Sequence, residues 1–163
     1  YATNQRDTSA QQLIDEDFPS IKIVAQTSFK KESEVFDKTL NLLAEYPEIE
    51  GIYTSWDGPA QQVIKALNSI GRLDIIVGTV DLDFSSALVI AEDGPIKCVS
   101  AQQPFEQGRA IGLAAAQSIL YKDVPSFIAI EPIMVNKENL LHSWRTVFKE
   151  EPPIELRERL SGK

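Results

Sequence analysis

Apolar residues along the chain follow two periods, one typical of helices and one typical of strands. Val63, Leu67 and Ile70 recur at i, i+4 and i+7, which predicts a helix that ends at Gly71. Short runs rich in β-branched residues predict strands between such helices. The predicted strands are residues 21–25, 49–54, 73–80, 96–101 and 127–130. The predicted helices are residues 4–16, 35–46, 59–70, 85–91, 105–121 and 137–148.

The order of these segments is an alternation of strands and helices. Such an alternation predicts an α/β fold, an open parallel sheet with right-handed crossovers and helices on both faces. Residues 151–163 are rich in proline, glutamate and arginine, and we expect a charged tail there. The remainder, residues 1–150, has no linker that would divide it into two domains.

Polar residues follow three of the predicted strands, where each strand ends. Trp56 and Asp57 follow the strand at 49–54, Asp81 follows the strand at 73–80, and Gln102 follows the strand at 96–101. In open parallel sheets, ligands bind at the carboxyl edge of the strands, where the following loops gather. We therefore expect these four side chains to line one cleft.

Composition narrows the function classes. The 163 residues fit one domain, 43% are hydrophobic, and the net charge is −8 without a basic stripe. A direct nucleic-acid partner is therefore not expected. Cys98 is the only cysteine, which excludes an internal disulfide and a cysteine-based metal site in this sequence. The chain opens on Tyr1 rather than on methionine, and we expect it to be a piece of a longer protein.

The residue types at the predicted cleft suit a neutral polyol. Asp81 offers a carboxylate that accepts two hydroxyl hydrogens, and Gln102 offers an amide that both donates and accepts. Trp56 offers a flat apolar face for the C–H surface of a sugar. A nucleotide or phosphate would require a glycine-rich loop, and neither common pattern is present in the sequence. No cofactor and no metal are expected.

Each of these residues also has a purely structural interpretation. Asp57 precedes Gly-Pro and is a natural helix cap, and Trp56 could cover the edge of the sheet. Asp81 and Asp83 would also suit a surface turn, although the segment between them is too short for a calcium loop. A small α/β enzyme would use Asp57 or Asp81 with His142, the only histidine, but no nucleophile elbow accompanies it.

Five segments together resemble the periplasmic sugar-binding proteins of the ribose-binding type, which deliver substrate to ABC importers. They occur in the order and near the spacing of that family and cover nearly the whole chain. The similarity extends only to the C-terminal lobe of these two-lobed proteins. The segments are the helix that opens with Asn4-Gln5-Arg6 and residues 42–57, 73–83, 96–112 and 135–148.

The resemblance implies a role for four residues. Asp81 matches the aspartate that accepts two sugar hydroxyls, and Gln102 matches the glutamine beside the hinge. Trp56 stands where many relatives have a sugar-binding asparagine, and Asn4 falls near an arginine contact. Leu82 replaces the glycine that usually follows the aspartate. Together with Asp57, these residues form the predicted ligand site.

The resemblance also implies the function. We expect a non-catalytic, substrate-binding component of an ABC sugar importer that binds a monosaccharide or polyol between two lobes by hinge closure. Residues 1–150 would form the C-terminal lobe, and the partners would be an N-terminal lobe and a membrane permease. The protein would be periplasmic or extracellular, as a membrane-anchored lipoprotein if the source is Gram-positive. The alternative is the effector-binding core of a lactose-repressor-type regulator.

The predicted helix 105–121 has a further implication. In the family, this helix packs on the N-terminal lobe. Its apolar stripe would therefore face a sheet that this chain does not supply, and several exposed aliphatic side chains are costly. We expect the helix to fold back on its own lobe, to exchange with a second copy in a swapped homo-oligomer, or to meet a second chain. The stripe consists of Phe105, Ile111, Ala115 and Ile119.

Overall fold

The computed structural model describes residues 2–162; Tyr1 and Lys163 lie outside the described residues. Four strands and seven helices form within that range. The strands are β1 (Gly51–Tyr53), β2 (Ile76–Val80), β3 (Ile96–Ala101) and β4 (Ile133–Val135). The helices are α1 (Ala2–Asp17), α2 (Ser33–Glu45), α3 (Asp57–Ile70), α4 (Phe84–Ala91), α5 (Pro104–Ile119), α6 (Leu140–Phe148) and α7 (Ile154–Ser161).

The strands form one open sheet in the order β1-β2-β3-β4. β1, β2 and β3 are parallel, with Tyr53 beside Gly78 and Thr79 beside Val99. β4 runs antiparallel to β3, with Val135 beside Val99. The predicted α/β fold with an open sheet is confirmed, although the sheet is mostly rather than wholly parallel. The direction of β4 differs from the prediction because the chain re-enters the sheet at the edge where β3 ends, with Ile133 beside Ala101.

The core lies between the sheet and helices α3, α4 and α6. Val77 and Val99 of the sheet, Leu67 of α3 and Leu140 of α6 are fully buried. Burial alternates along β2, since Val77 and Thr79 are buried while Ile76 is exposed. This period of two is the pattern of a sheet that presents one of its faces to a continuous core.

α3 ends as its sequence predicts but begins two residues before the predicted start, at Asp57. Pro59 lies in the first turn, where its missing N–H leaves no helical hydrogen bond unmade. Gly71 follows the last helical residue with φ of 71°, and its N–H bonds back into the last turn. A residue with a Cβ is strained in this left-handed conformation, so glycine is favoured there.

The predicted strand at residues 21–25 is wrong. This segment has no regular secondary structure, and Ile21, Ile23 and Val24 are between 39% and 54% exposed. β-branched residues favour a pleated surface, but a strand forms only where a neighbouring strand accepts its hydrogen bonds. No described strand lies beside this segment.

The predicted strand at residues 127–130 is also wrong. Phe127 is 80% exposed, and residues 127–130 have no partner in the sheet. The last strand is β4, which begins directly after Pro132 and pairs with β3. Its three residues are too short a run to be distinguished by periodicity in the sequence.

The tail is part of the fold. Residues Ile154–Ser161 form α7, which packs against α4, and Leu156 is fully buried in the core. This segment is rich in charged residues and buries a single side chain deeply, so the sequence gives no amphipathic pattern from which to predict the helix. No helix within residues 2–162 is both long enough and apolar enough to span a lipid bilayer.

Helix α5 has no buried residue. Ile111 is 70% exposed and Ile119 is 75% exposed, so these two residues of its apolar stripe are largely uncovered in the described chain. Phe105, at the start of the stripe, has Lys149 Nζ 5.6 Å from its ring centroid. Its first turns nevertheless contact α6, and Glu106 binds Lys149 there, so this end of the helix lies against its own lobe. That the helix normally packs on an N-terminal lobe stays a prediction. Exchange with a second copy or contact with another chain stays a prediction.

Candidate functional site

The ends of β1 and β2 are joined by two buried threonines. The Thr54 hydroxyl lies 2.8 Å from the Thr79 hydroxyl and 3.1 Å from the carbonyl oxygen of Trp56. Both side chains are less than 10% exposed. The polar residues that follow the two strands therefore start from fixed positions at the same edge of the sheet.

Asp81 has an unusual backbone conformation. Its φ is 71°, in the left-handed region that side-chain-bearing residues rarely adopt. Aspartate tolerates this region better than most residues do. The backbone N–H of Asp81 donates to the carbonyl oxygen of Ser100 at 3.0 Å, which ties the turn to β3. Strained conformations of this kind are concentrated at functional sites.

The Asp81 carboxylate has a protein donor on each oxygen. Gln102 Nε2 donates to Oδ1 at 2.5 Å, and Arg6 Nη1 lies 3.3 Å from Oδ2. The Asp81 side chain remains 30% exposed. The structure thus brings Asp81 and Gln102 together at neighbouring strand ends, as the sequence predicts.

Arg6 is a site residue that the sequence analysis did not predict. Its guanidinium also donates to the carbonyl oxygen of Ser55 at 2.8 Å, and its side chain is 26% exposed. Asn4, the predicted residue, is exposed, and no side-chain hydrogen bond joins it to another described residue. Along a helix, a step of two residues is a rotation of about 200° around the axis, so Asn4 and Arg6 lie on nearly opposite sides of α1. The available signal was that Arg6 is the only basic residue before Lys22.

Trp56 packs against the segment that precedes α2. Its ring centroid lies 5.3 Å from that of Phe29, and its indole N–H donates to Glu32 Oε1 at 3.0 Å. A Cβ at Gly58 would lie within 3 Å of the Glu32 carboxylate, so glycine leaves room for this contact. These contacts fix the ring at the sheet edge and support the structural interpretation of Trp56, while leaving the residue half-buried.

Asp57 is the first residue of α3, and Trp56 occupies the N-cap position without a capping side-chain bond. The expectation that Asp57 caps this helix is therefore wrong, because Asp57 lies one position after the N-cap. Burial raises the pKa of the Asp57 carboxyl, and the nearby Asp83 raises it further. Asp83 itself is the N-cap of α4 and accepts from the backbone N–H groups of Ser85 and Ser86 at 3.2 and 2.8 Å.

An open cavity of about 160 Å³ adjoins the Asp81 carboxylate. Its lining combines polar and apolar side chains. The lining residues are Asp81, Leu82, Gln102, Pro104, Gln107, Val147 and Phe148. Trp56, Asp57 and Asn4 are not among them, so the structure assembles two of the five predicted ligand residues around this cavity.

His142 lies on the exposed side of α6 and does not line the cavity. The structure therefore does not bring it together with Asp57 or Asp81, as the enzymatic alternative would require. Among the described residues, no group of three or more histidine, cysteine, aspartate or glutamate side chains is arranged to hold a metal ion.

Several solved structures that are similar to this chain are solute-binding proteins of ABC transporters. One from Actinobacillus succinogenes with bound D-allose is 27% identical with a TM-score of 0.75, over 84% of this chain and 49% of that one. One from Agrobacterium vitis with bound allitol is 26% identical with a TM-score of 0.72, over 83% and 50% of the two chains. A second from Agrobacterium vitis, with bound α-D-tagatopyranose, shares the fold at 19% identity with a TM-score of 0.81, over 89% and 49%.

The chain thus spans about half the length of these relatives. The sequence model of the family described as periplasmic binding protein domain matches residues 1–122. The family resemblance in the sequence is therefore confirmed at the level of the family and of the fold. On this evidence the chain belongs to the periplasmic binding protein domain family, as a partial domain similar to one lobe of ABC sugar-transporter solute-binding proteins.

Proposed function

We propose that this chain is the C-terminal lobe of the solute-binding component of an ABC sugar importer, and that Asp81 and Gln102 bind the sugar. The observation that carries the proposal is the partly exposed Asp81 carboxylate, which binds Gln102 and Arg6 and lines a cavity. The relatives with bound D-allose and allitol support a sugar or polyol as the ligand class.

The hydrogen-bonding capacity of Asp81 suits this role. An ionised carboxylate has about four acceptor positions, and two protein donors use about two of them. The remaining positions are available to two hydroxyl groups of a sugar. Such charge-assisted hydrogen bonds contribute about 1.5–3 kcal/mol each.

The charge balance at the cavity also favours an uncharged ligand. Arg6 offsets the negative charge of Asp81 at a distance of 3.3 Å. Because the pair has no net charge, it offers neither a cationic nor an anionic ligand a net electrostatic attraction. A polyol, which has no net charge but many hydroxyls, needs no such attraction.

The size of the cavity supports binding between two lobes. Its volume of about 160 Å³ is well below the roughly 300–1,000 Å³ of typical ligand pockets. An opposing lobe would complete the enclosure when the protein closes around the ligand. We assign the role of this lobe to binding rather than catalysis, with a membrane permease as the partner of the closed form and the periplasm or cell surface as its location.

Three further residues are assigned with the proposal. Trp56 would offer the exposed part of its ring to the ligand, and Asp57 would face the cleft beside it. Asn4 would contact the ligand only in the closed form, since it is exposed in the described lobe. Asp81 and Gln102 remain the residues on which the proposal depends.

A thermal-shift screen of the full-length protein against monosaccharides and polyols, with D-allose and allitol included, tests the proposal. A ligand that binds only the folded state raises the melting temperature in a saturable way. Asp81→Asn should abolish that shift. Asp93→Asn is a matched control, because Asp93 also has a positive φ, of 60°, but binds Lys97 and Lys137 away from the cavity. No shift with any sugar, or the same shift in Asp81→Asn, would refute the proposal.

A further inference from the structure

Gln107 extends the hydrogen-bond network of Asp81 onto helix α5. Its Nε2 donates to Gln102 Oε1 at 3.1 Å, and Gln102 Nε2 in turn donates to Asp81 Oδ1. Gln107 is half-buried and lines the cavity beside both residues. The chain of bonds therefore runs from α5 to the proposed sugar-binding carboxylate.

The direction of this network is fixed by chemistry. An ionised carboxylate only accepts, so Gln102 must turn its NH₂ group toward Asp81. Its oxygen then points away and needs a donor, which is Gln107. Without that donor the amide of Gln102 loses one of the two contacts that hold its orientation, and only the Asp81 carboxylate then opposes a flip that would place oxygen against oxygen.

The position of Gln107 in the fold makes this contact unusual. Helix α5 has no buried residue, and its first two turns contact the lobe through polar groups. Glu106 binds Lys149 at 2.9 Å, and Gln103 Nε2 donates to the carbonyl oxygen of Glu131 at 2.7 Å. Of these three polar contacts, only that of Gln107 is connected to Asp81, through Gln102.

We propose that Gln107 is a positioning residue that fixes the amide of Gln102, so that Asp81 keeps its orientation toward the ligand. The amide orientation can be measured without ligand, whereas the effect on affinity rests on the proposed sugar-binding function. The probe for affinity is D-allose, or the polyol with the largest shift in the screen.

The ligand-free test follows the side-chain amide resonances of Gln102 in the isotope-labelled full-length protein. In the wild type, the amide hydrogen bonded to Asp81 should be shifted downfield and should exchange slowly. Gln107→Leu should move this signal toward that of a solvated amide. Gln103→Leu, which removes a neighbouring tether of the same helix, should leave it in place. An unchanged Gln102 signal in Gln107→Leu would overturn the proposal whatever the ligand.

The affinity test compares three proteins by calorimetry. Gln107→Leu should weaken sugar binding roughly tenfold, and Gln103→Leu should leave it unchanged. Gln107→Glu should bind weakly at about pH 7, where the carboxylate only accepts, and should recover as the pH falls through its ordinary pKa of about 4.3. A variant that merely perturbs packing would show no such recovery.

The two proposals fail in different ways. If the wild type binds no sugar or polyol, the proposed function fails, and the amide signal alone decides the role of Gln107. If the wild type binds and Gln107→Leu binds equally well, Gln107 is not a positioning residue and the proposed function stands.

Discussion

Arg6 and Asp81 lie 75 residues apart in the sequence, and their side chains form an ion pair with 3.3 Å between Nη1 and Oδ2. The pair connects the first helix to the end of the second strand. Because Arg6 also donates to the carbonyl oxygen of Ser55, the guanidinium joins the loops that follow β1 and β2. The N-terminal helix thereby contributes to the candidate site.

Replacing Arg6 tests that contribution. Arg6→Met keeps the length of the side chain but removes the charge, and we expect sugar affinity to fall by about 1–2 kcal/mol because Asp81 loses a donor that orients it. The free energy of unfolding should fall by less than about 1 kcal/mol, since the pair is partly solvated. Calorimetry and chemical denaturation measure the two quantities.

Arg109→Met is the matched control for Arg6→Met. Arg109 is 76% exposed and binds Glu106 on the same helix. Neither the sugar affinity nor the free energy of unfolding should change by more than a few tenths of a kcal/mol in this variant. Equal losses of affinity in the two variants would contradict a specific role for Arg6.

Because Asp81 has a positive φ, two substitutions at this residue can distinguish an effect on stability from an effect on binding. Asp81→Ala should weaken sugar binding by about 2–4 kcal/mol, because it removes charge-assisted bonds and leaves their partners unpaired. Asp81→Gly should weaken binding equally, but it should be about 1 kcal/mol more stable to denaturation than Asp81→Ala because glycine adopts a positive φ without strain. If the alanine variant is the more stable of the two, strain at this residue is disproved.

The raised pKa of the Asp57 carboxyl predicts that the stability of the protein depends on pH. Burial raises the pKa of this carboxyl above the ordinary value of 3.8, so the folded protein holds this proton more tightly than the unfolded chain does. Its contribution to stability is therefore lost as the pH rises through the folded-state pKa. Asp57→Asn should be more stable than the wild type at neutral pH, and the difference should vanish below about pH 3.

Asp93 provides the control of opposite sign. A hydrogen bond from Lys137 lowers the pKa of the Asp93 carboxyl. Its contribution is present above the unfolded-state pKa and is lost as the pH falls through the folded-state pKa. Titration of the two carboxyls by nuclear magnetic resonance should give midpoints on opposite sides of the ordinary value. A midpoint for Asp57 below that value would contradict the inferred burial effect.

The exposed stripe of α5 predicts self-association when these 163 residues are produced alone. Ile111 and Ile119 present apolar surface to solvent, and burying such surface contributes about 25 cal/mol per Å². Sedimentation at micromolar concentration should show dimers or larger species, and Ile111→Lys with Ile119→Lys should shift them to monomer. Leu73→Lys, at an exposed residue distant from α5 in the sequence, is the control. A monomer with α5 protected from hydrogen exchange would contradict this prediction.

Local signals were sufficient for much of the fold. Gly71 marks the end of α3, and the run Ile96–Ala101 coincides with β3. The failures involve partners that local sequence does not specify. Residues 21–25 have the composition of a strand but no neighbour, and β4 is defined by its pairing with β3 rather than by its own three residues.

In the candidate site, too, some residues could be predicted from the sequence and others depend on tertiary contacts. Asp81 and Gln102 could be predicted because the topology of parallel strands brings their loops to one edge. Arg6 could not be placed, since its contact depends on how α1 lies against the sheet. Nor could Gln107, since its side chain reaches Gln102 only after α5 takes its observed direction. Side chains that act across helices require the tertiary structure.

The hydroxyl pair of Thr54 and Thr79 has a consequence for the energetics of ligand capture. Because this pair holds two strand termini in register within the folded lobe, their conformational entropy is lost during folding rather than at the moment of association. Under the proposed function, a ligand would therefore meet a preorganised surface on this lobe, and the entropic cost of binding would come mainly from restricting the motion of the opposing lobe.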